Sequence, residues 1–200
     1  MIHLIRSKRR TISLMIKDDG ALLVRAPERT RIEYVNKFIK EKENWIAKHQ
    51  ELMKAFLKKK KTYKFITDEG ILLLGKRVRP KGLELKNIDE IKLWYKKKAA
   101  ILISKRLDFF TKKFGLHYGA LKITSARKRW GSCSGRNDMN FSWRLIMADK
   151  KAIDYVIVHE IAHIKHKDHS AKFWDCVESM MKDYRKYDSW LEENRFLLDF

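Results

Sequence analysis

Two hundred residues, 44% hydrophobic and 12% aromatic against 36% charged, exclude a disordered chain and supply apolar material for one core or two small ones. Forty-six basic residues against 25 acidic ones leave a net charge of +21, which predicts salt-sensitive attraction to polyanions. Two cysteines, Cys133 and Cys176, exclude a disulfide framework; no apolar run nears the ~20 residues that span a bilayer, and Met1 to Leu14 lacks a signal-peptide pattern, so a reduced, cytoplasmic protein without membrane contact is expected.

Residues 2–26 read as β: Thr11 to Ile16 alternates, Asp18-Asp19-Gly20 signals a turn, and Ala21 to Arg25 returns. Thr30 with Glu33 reads as a capping box for a helix over about 31–55, in which Tyr34, Val35, Phe38, Ile39, Trp45 and Ile46 hold helical spacing. The Lys58–Lys61 run is either a linker or a solvated helix end. Short strands follow at Tyr63–Thr67 and Ile71–Leu74, with a third before Pro80. Residues 1–85 thus form a β-rich N-terminal module with one long helix and no group of site-like residues. Its expected job is scaffold, partner contact or polyanion docking.

A second domain, 86–200, begins with a helix over about Asp89 to Phe114, ended by Gly115. Its stripe of Ile91, Trp94, Tyr95, Ala99, Leu102, Phe109 and Phe110 reads as core rather than a ligand groove. Leu121 to Ser125, Arg129 to Cys133 and Met139 to Leu145 then make a small sheet, the last two as a hairpin. Cys133 reads as a buried structural residue in preference to a reactive thiol. After Ser170, an N-cap, a helix runs from Ala171 to about Lys182. A turn at Tyr187 to Trp190 and a final helix to Phe200 close the chain.

Between sheet and C-terminal helices lies Ile153 to Trp174, which contains His159-Glu160-x-x-His163. The i, i+4 spacing stacks both imidazoles on one helical face, within reach of one divalent ion. Glu160 projects beside them, where a carboxylate can hold a metal-bound water and accept its proton. The flanking Ile153, Val156, Ile157, Val158, Ile161, Ala162 and Ile164 make the helix apolar nearly all round, hence buried, and polar groups there require a partner. Hydrolytic metal sites use a third protein ligand and an open position. His169 ranks first for that ligand, at the HExxHxxGxxH spacing although His166 replaces the glycine; Glu178, His166 and Asp168 are rivals. Asp154 and Asp175 are candidates for orienting a ligand histidine.

The combination of Arg129-Trp130-Gly131-Ser132-Cys133-Ser134, Trp143-Arg144-Leu145, the 153–163 helix and His169-Ser170-Ala171-Lys172-Phe173-Trp174 resembles the YgjP-like metallopeptidases, relatives of the SprT-like and WLM zinc peptidases. The resemblance covers essentially the whole chain. Its departures are Ser142, where the family often has Asn, and the lack of a proline in Met147 to Lys151. It implies an α+β architecture: a zincin-like catalytic domain, its HExxH helix packed on the small antiparallel sheet with flanking helices, behind the β-rich module. It further implies one Zn2+ on His159, His163 and His169, Glu160 as the base, and a peptide or protein substrate held along a strand edge. Trp130-Gly131-Ser132 or the Trp143-Arg144 strand is expected to border the cleft. Arg144 or Tyr155 is then a candidate for stabilising the oxyanion, against a reading in which Trp130 and Trp143 are core and Arg144 is structural.

Two other functions stay open on sequence. The positive surface would suit a metal-dependent nucleotide (NTP) pyrophosphatase or phosphohydrolase, although no Gly-rich phosphate loop is present. A nucleic-acid-associated protein with a non-catalytic metal is the third. No helix-turn-helix, RNP or zinc-finger pattern appears, so only non-specific nucleic-acid or polyanion contact is expected.

Overall fold

The computed structural model describes residues 2–17 and 19–200. The chain divides into two compact units, Met1–Tyr63 and Lys64–Phe200.

In the first unit, strands β1 (Ile2–Ser7), β2 (Ser13–Ile16) and β3 (Leu22–Pro27) form a sheet in the order β1-β3-β2. β2 and β3 make the expected antiparallel hairpin, while β1 runs parallel to β3. Of the turn residues, Asp18 lies outside the described residues; the Asp19 carboxylate accepts from the Ala21 amide at 2.9 Å, and Gly20 takes the left-handed φ of 80°. Leu22, Val24 and Ala26 form the buried core with Val35, flanked by Leu14, Ile16, Ile39 and Ile46. The helix expected over 31–55 is two helices, α1 (Ile32–Glu41) and α2 (Glu43–Thr62), broken at Lys42. Ile39 before the break and Ile46 after it pack against the same core. The capping box does not form: Arg31 is the N-cap, without a side-chain bond, because Thr30 closes a turn onto the Pro27 carbonyl. Lys58–Lys61 is an exposed helix end.

The second unit opens with a three-stranded meander, β4 (Ile66–Thr67), β5 (Gly70–Leu73) and β6 (Lys76–Val78). The two compact units divide between Tyr63 and Lys64, and hydrogen bonds tie the meander to the rest of the second unit. The amides of Leu74 and Gly75 donate to the carbonyls of Ile146 and Met147 at 2.8 and 3.2 Å, and the Tyr95 hydroxyl donates to the Leu72 carbonyl at 2.6 Å. Helix α3 (Ile88–Phe114) is capped by the Asn87 side chain, which accepts from the Asp89 and Glu90 amides, and ends at Gly115 with φ 62°. Its buried stripe is Ile91, Tyr95, Ala99, Ile103, Leu107, Phe110 and Thr111. Phe109 lies outside it, 49% exposed, with the Arg106 guanidinium 4.7 Å from its ring centre.

Strands β7 (Leu121–Thr124), β8 (Gly131–Cys133) and β9 (Met139–Ser142) form a sheet ordered β7-β9-β8. It is mixed, since β7 and β9 are parallel and only β8 and β9 form the antiparallel hairpin. β9 stops at Ser142, whose hydroxyl accepts from the Arg144 amide and caps a 3-10 turn over Trp143–Met147. Trp143 and Arg144 are therefore buried in that turn and are no strand. Helix α4 (Lys150–Ala162), capped by Asp149, carries His159 and Glu160, with His163 at its C-cap. Helices α5 (Ala171–Met180) and α6 (Tyr184–Glu193) follow, then a 3-10 turn at Arg195–Asp199. The final helix thus begins at Tyr184, where a turn at Tyr187 to Trp190 was expected: Tyr184 and Leu191 fall on its buried face at helical spacing.

Asp154 of α4 is 5% exposed and receives two bonds from Arg106 of α3, at 2.6 and 2.8 Å. That pair ties the site helix to the longest helix and removes Asp154 from any role toward a histidine. Asp154→Ala strands a largely enclosed guanidinium and is expected to cost about 2–4 kcal/mol in urea unfolding, whereas Arg106→Met with Asp154→Leu should recover most of it. Among the described residues, no helix is long and apolar enough to cross a membrane.

Candidate active site

Ten residues of α4 are buried, from Ala152 to Ala162 with His159 half-buried, so the helix core is fixed by packing on several sides. His163 stands at its C-cap, and the chain reverses over 164–170 to bring back His169 at the start of α5. Among the described residues, the imidazole nitrogens of His159, His163 and His169 form a cluster within 4.8 Å of one another. The Nε2 atoms of His159 and His169 are 3.2 Å apart. Two nitrogens at ~2.05 Å from one tetrahedral ion stand ~3.3 Å apart, so the spacing fits a shared divalent metal.

Electrostatics fit as well. Burial, reinforced by the other two rings, pushes the His159 pKa down to about 3. Burial also lowers that of His163, although its bond to the His166 carbonyl opposes the shift. Both are held neutral, the form that ligates. His163 Nδ1 lies 2.9 Å from the His166 carbonyl oxygen. Donation there fixes the tautomer and frees Nε2. His166 thus contributes its backbone, not its ring, and its φ is not positive among the described residues. This explains why the glycine of the longer motif is dispensable here. Glu178 faces Arg185 at 3.7 Å on α6, and Asp168 caps the Ser170 amide, so neither joins the cluster. His159 Nδ1 is buried without a hydrogen-bond partner; Asp175 gives it none.

The three rings rest on Phe173, which is fully buried and whose ring centre lies 5.0, 4.4 and 4.8 Å from those of His159, His163 and His169. Trp174, half-buried, lies 5.7 and 5.9 Å from His159 and His169 and stacks on Tyr184. Phe173 and Trp174 are visible in sequence only as packing residues; their contact with the histidines follows from the chain reversal.

Glu160 is 6% exposed and points at β8. Burial pushes its pKa up to about 8, against the opposing charge of Arg129 and a bond from the Cys133 amide. The strand register explains that bond. The Trp130 carbonyl accepts from Ser142 and the Ser134 amide donates to Asp138, so Gly131 and Cys133 turn their backbone groups to the open edge. A Cβ at Gly131 would stand 2.7 Å from Glu160 Oε1 and 2.8 Å from its Cγ. The glycine is there for close approach, a role an isolated strand glycine signals in sequence and one not assigned above.

The remaining candidates separate. Trp130 and Ser132 are half-buried, beside and on β8, and flank Gly131, so strand alternation gives them the face opposite the one Glu160 approaches. Arg144 is buried, donates to the carbonyls of Ser125 and Phe200 at 3.1 and 2.9 Å, and lies 4.1 Å from the Trp143 ring centre. Tyr155 presents its ring edge to His159 at 5.9 Å but donates its hydroxyl to Asp188 at 2.8 Å. The two terminal nitrogens of Arg144 and the hydroxyl of Tyr155 thus bond to groups outside the cluster. Cys133 and Cys176 are half-buried free thiols.

The chain is similar to two solved structures, the metallopeptidase zymogens abylysin of Pyrococcus abyssi and jannalysin of Methanocaldococcus jannaschii. Identities are 18% and 16%, each with a TM-score of 0.40; both cover 44% of this chain and, respectively, 91% and 92% of theirs. None of the curated proteins matches. Residues 10–87 and 79–194 match the family described as YgjP-like, metallopeptidase domain, and the chain belongs to that family.

Proposed function

We propose that this protein is a zinc-dependent peptidase in which His159, His163 and His169 hold one ion and Glu160 acts as the general base. The observation that carries the reading is the three-imidazole cluster beside a buried carboxylate packed against Gly131 of β8. When bound, zinc supplies Lewis acidity that polarises a peptide carbonyl and acidifies water. Nitrogen-only donors with room for a further ligand suit zinc, and a closed structural site would need a fourth residue. The chain's own part begins at β8, where the outward groups of Gly131 and the Cys133 carbonyl can pair with an extended backbone. Pairing there lays the scissile bond across Glu160. Its carboxylate, held by the Cys133 amide, takes the proton from the attacking water and passes it to the leaving amine. Neutral His159 and His163 keep their lone pairs on the cluster.

Chelation tests this reading. Purified protein is expected to carry one zinc per chain and to cleave unfolded protein or peptides. Treatment with a strong chelator should abolish cleavage, and zinc should restore it at one equivalent. Metal-free protein should also melt lower, and its melting point should rise with added zinc, since binding to the folded state alone stabilises it. Hydrolysis of nucleoside triphosphates with no peptide turnover would replace the peptidase reading by the phosphohydrolase one.

A further inference from the structure

The two ends of β8 carry cations that the hydrolytic chemistry does not use. Arg129 lies two residues before Gly131, where β8 begins; it is exposed, close enough to Glu160 to lower its pKa, and makes no hydrogen bond or ion pair among the described residues. At the other end, Lys167 reaches across from the segment between the second and third histidines. Its Nζ donates to the Ser134 carbonyl at 3.0 Å and to Asn137 Oδ1, with Cys133 Sγ at 3.7 Å. All three partners are uncharged, so the ammonium is fixed in place without being neutralised. The neighbouring carboxylates are committed elsewhere: Asp138 to the Ala120 amide and Ser134 hydroxyl, Asp168 to the Ser170 amide. Arg127, Lys128 and Arg136 are near them in sequence and exposed, with Arg127 donating to the Asp199 carbonyl at 2.8 Å.

Resting on the peptidase reading, we propose that Arg129 and Lys167 select extended peptides with acidic side chains toward both ends of the segment bound along β8. The five steps from Arg129 to Ser134 span about 16 Å in extended chain, so the favoured acidic residues stand four to five positions apart. Each cation meets its carboxylate at the exposed rim, where a pair is worth a few-fold, and the two together about tenfold at low salt.

The test uses internally quenched peptides of one length: a neutral parent, a version with Glu at positions five apart, one with the two Glu adjacent, and one with Lys. Zinc-loaded protein should cleave the spaced acidic peptide with kcat/KM about tenfold above the neutral one, and the advantage should shrink in 0.5 M salt. In Arg129→Gln and in Lys167→Gln the acidic-to-neutral ratio should fall two- to threefold each, while Arg129→Lys keeps it. Anisotropy of labelled peptides on Glu160→Gln gives the same ranking without turnover. Equal cleavage of all peptides overturns the selection and leaves the peptidase intact; cleavage of none overturns both. Equal binding of all peptides, with tight oligonucleotide binding lost in both Gln variants, assigns the rim to nucleic acid and overturns the proposal.

Discussion

Glu160→Gln is expected to lower kcat for peptide hydrolysis by about 10²–10⁴-fold while the protein still carries one zinc. The substitution keeps shape and the acceptor for the Cys133 amide, and removes only the basic oxygen. A variant that lost its metal, or kept more than a tenth of parental turnover, would take Glu160 out of the base's role. The same change has a signature without metal. The Glu160 pKa is raised from 4.5 to about 8 in the folded protein, so the folded state binds the proton more tightly than the unfolded one. Its contribution to stability is complete below pH 4.5 and lost as pH rises through 8. Gln cannot ionise, so the chelated variant should outlast the chelated parent above pH 8, by up to about 4 kcal/mol. His159 has the opposite sign: its pKa falls from 6.5 to about 3, so its contribution is present above pH 6.5 and lost as pH drops toward 3. Urea midpoints of the two chelated proteins between pH 4 and 9 should therefore diverge at the alkaline end and run together at the acid end.

Gly131→Ala is expected to be nearly as damaging, with the ion untouched. The new methyl would overlap Oε1 and Cγ of Glu160 at 2.7 and 2.8 Å, closer than such contacts occur, and the carboxylate is the part free to move. Displacing a base by about 1 Å costs about 10²-fold in rate. kcat/KM should fall by that order, with zinc content unchanged and only a small drop in melting temperature. Undiminished turnover would mean that the strand edge does not set the base's position.

What sequence could show of this site depended on whether the cause was local. The helix carrying His159, Glu160 and His163 is legible because spacing alone decides which face each side chain takes. His169 needed the motif as well, since its approach depends on a chain reversal that spacing does not encode. Gly131, Phe173 and Trp174 were legible only as a strand residue and packing residues; their contact with the site exists because two distant segments meet. The partners of Arg144 and Tyr155 were hidden for the same reason, since Ser125, Phe200 and Asp188 are remote from them in sequence. In the first unit the limit was different: apolar periodicity runs through Lys42 unbroken, so nothing in the pattern marks the break there, and both halves still pack on one core.

The meander of β4 to β6 fixes where the chain can be shortened. A version starting at Lys64 keeps Leu74 and Gly75 bonded beneath the 3-10 turn and Tyr95 on its Leu72 acceptor. One starting near residue 86 would bare the Ile146 and Met147 carbonyls, leave a buried phenol without its oxygen, and delete Ile71, which is wholly enclosed. Trimming the protein to its apparent catalytic half would thus open a hole immediately ahead of the helix that bears the histidines.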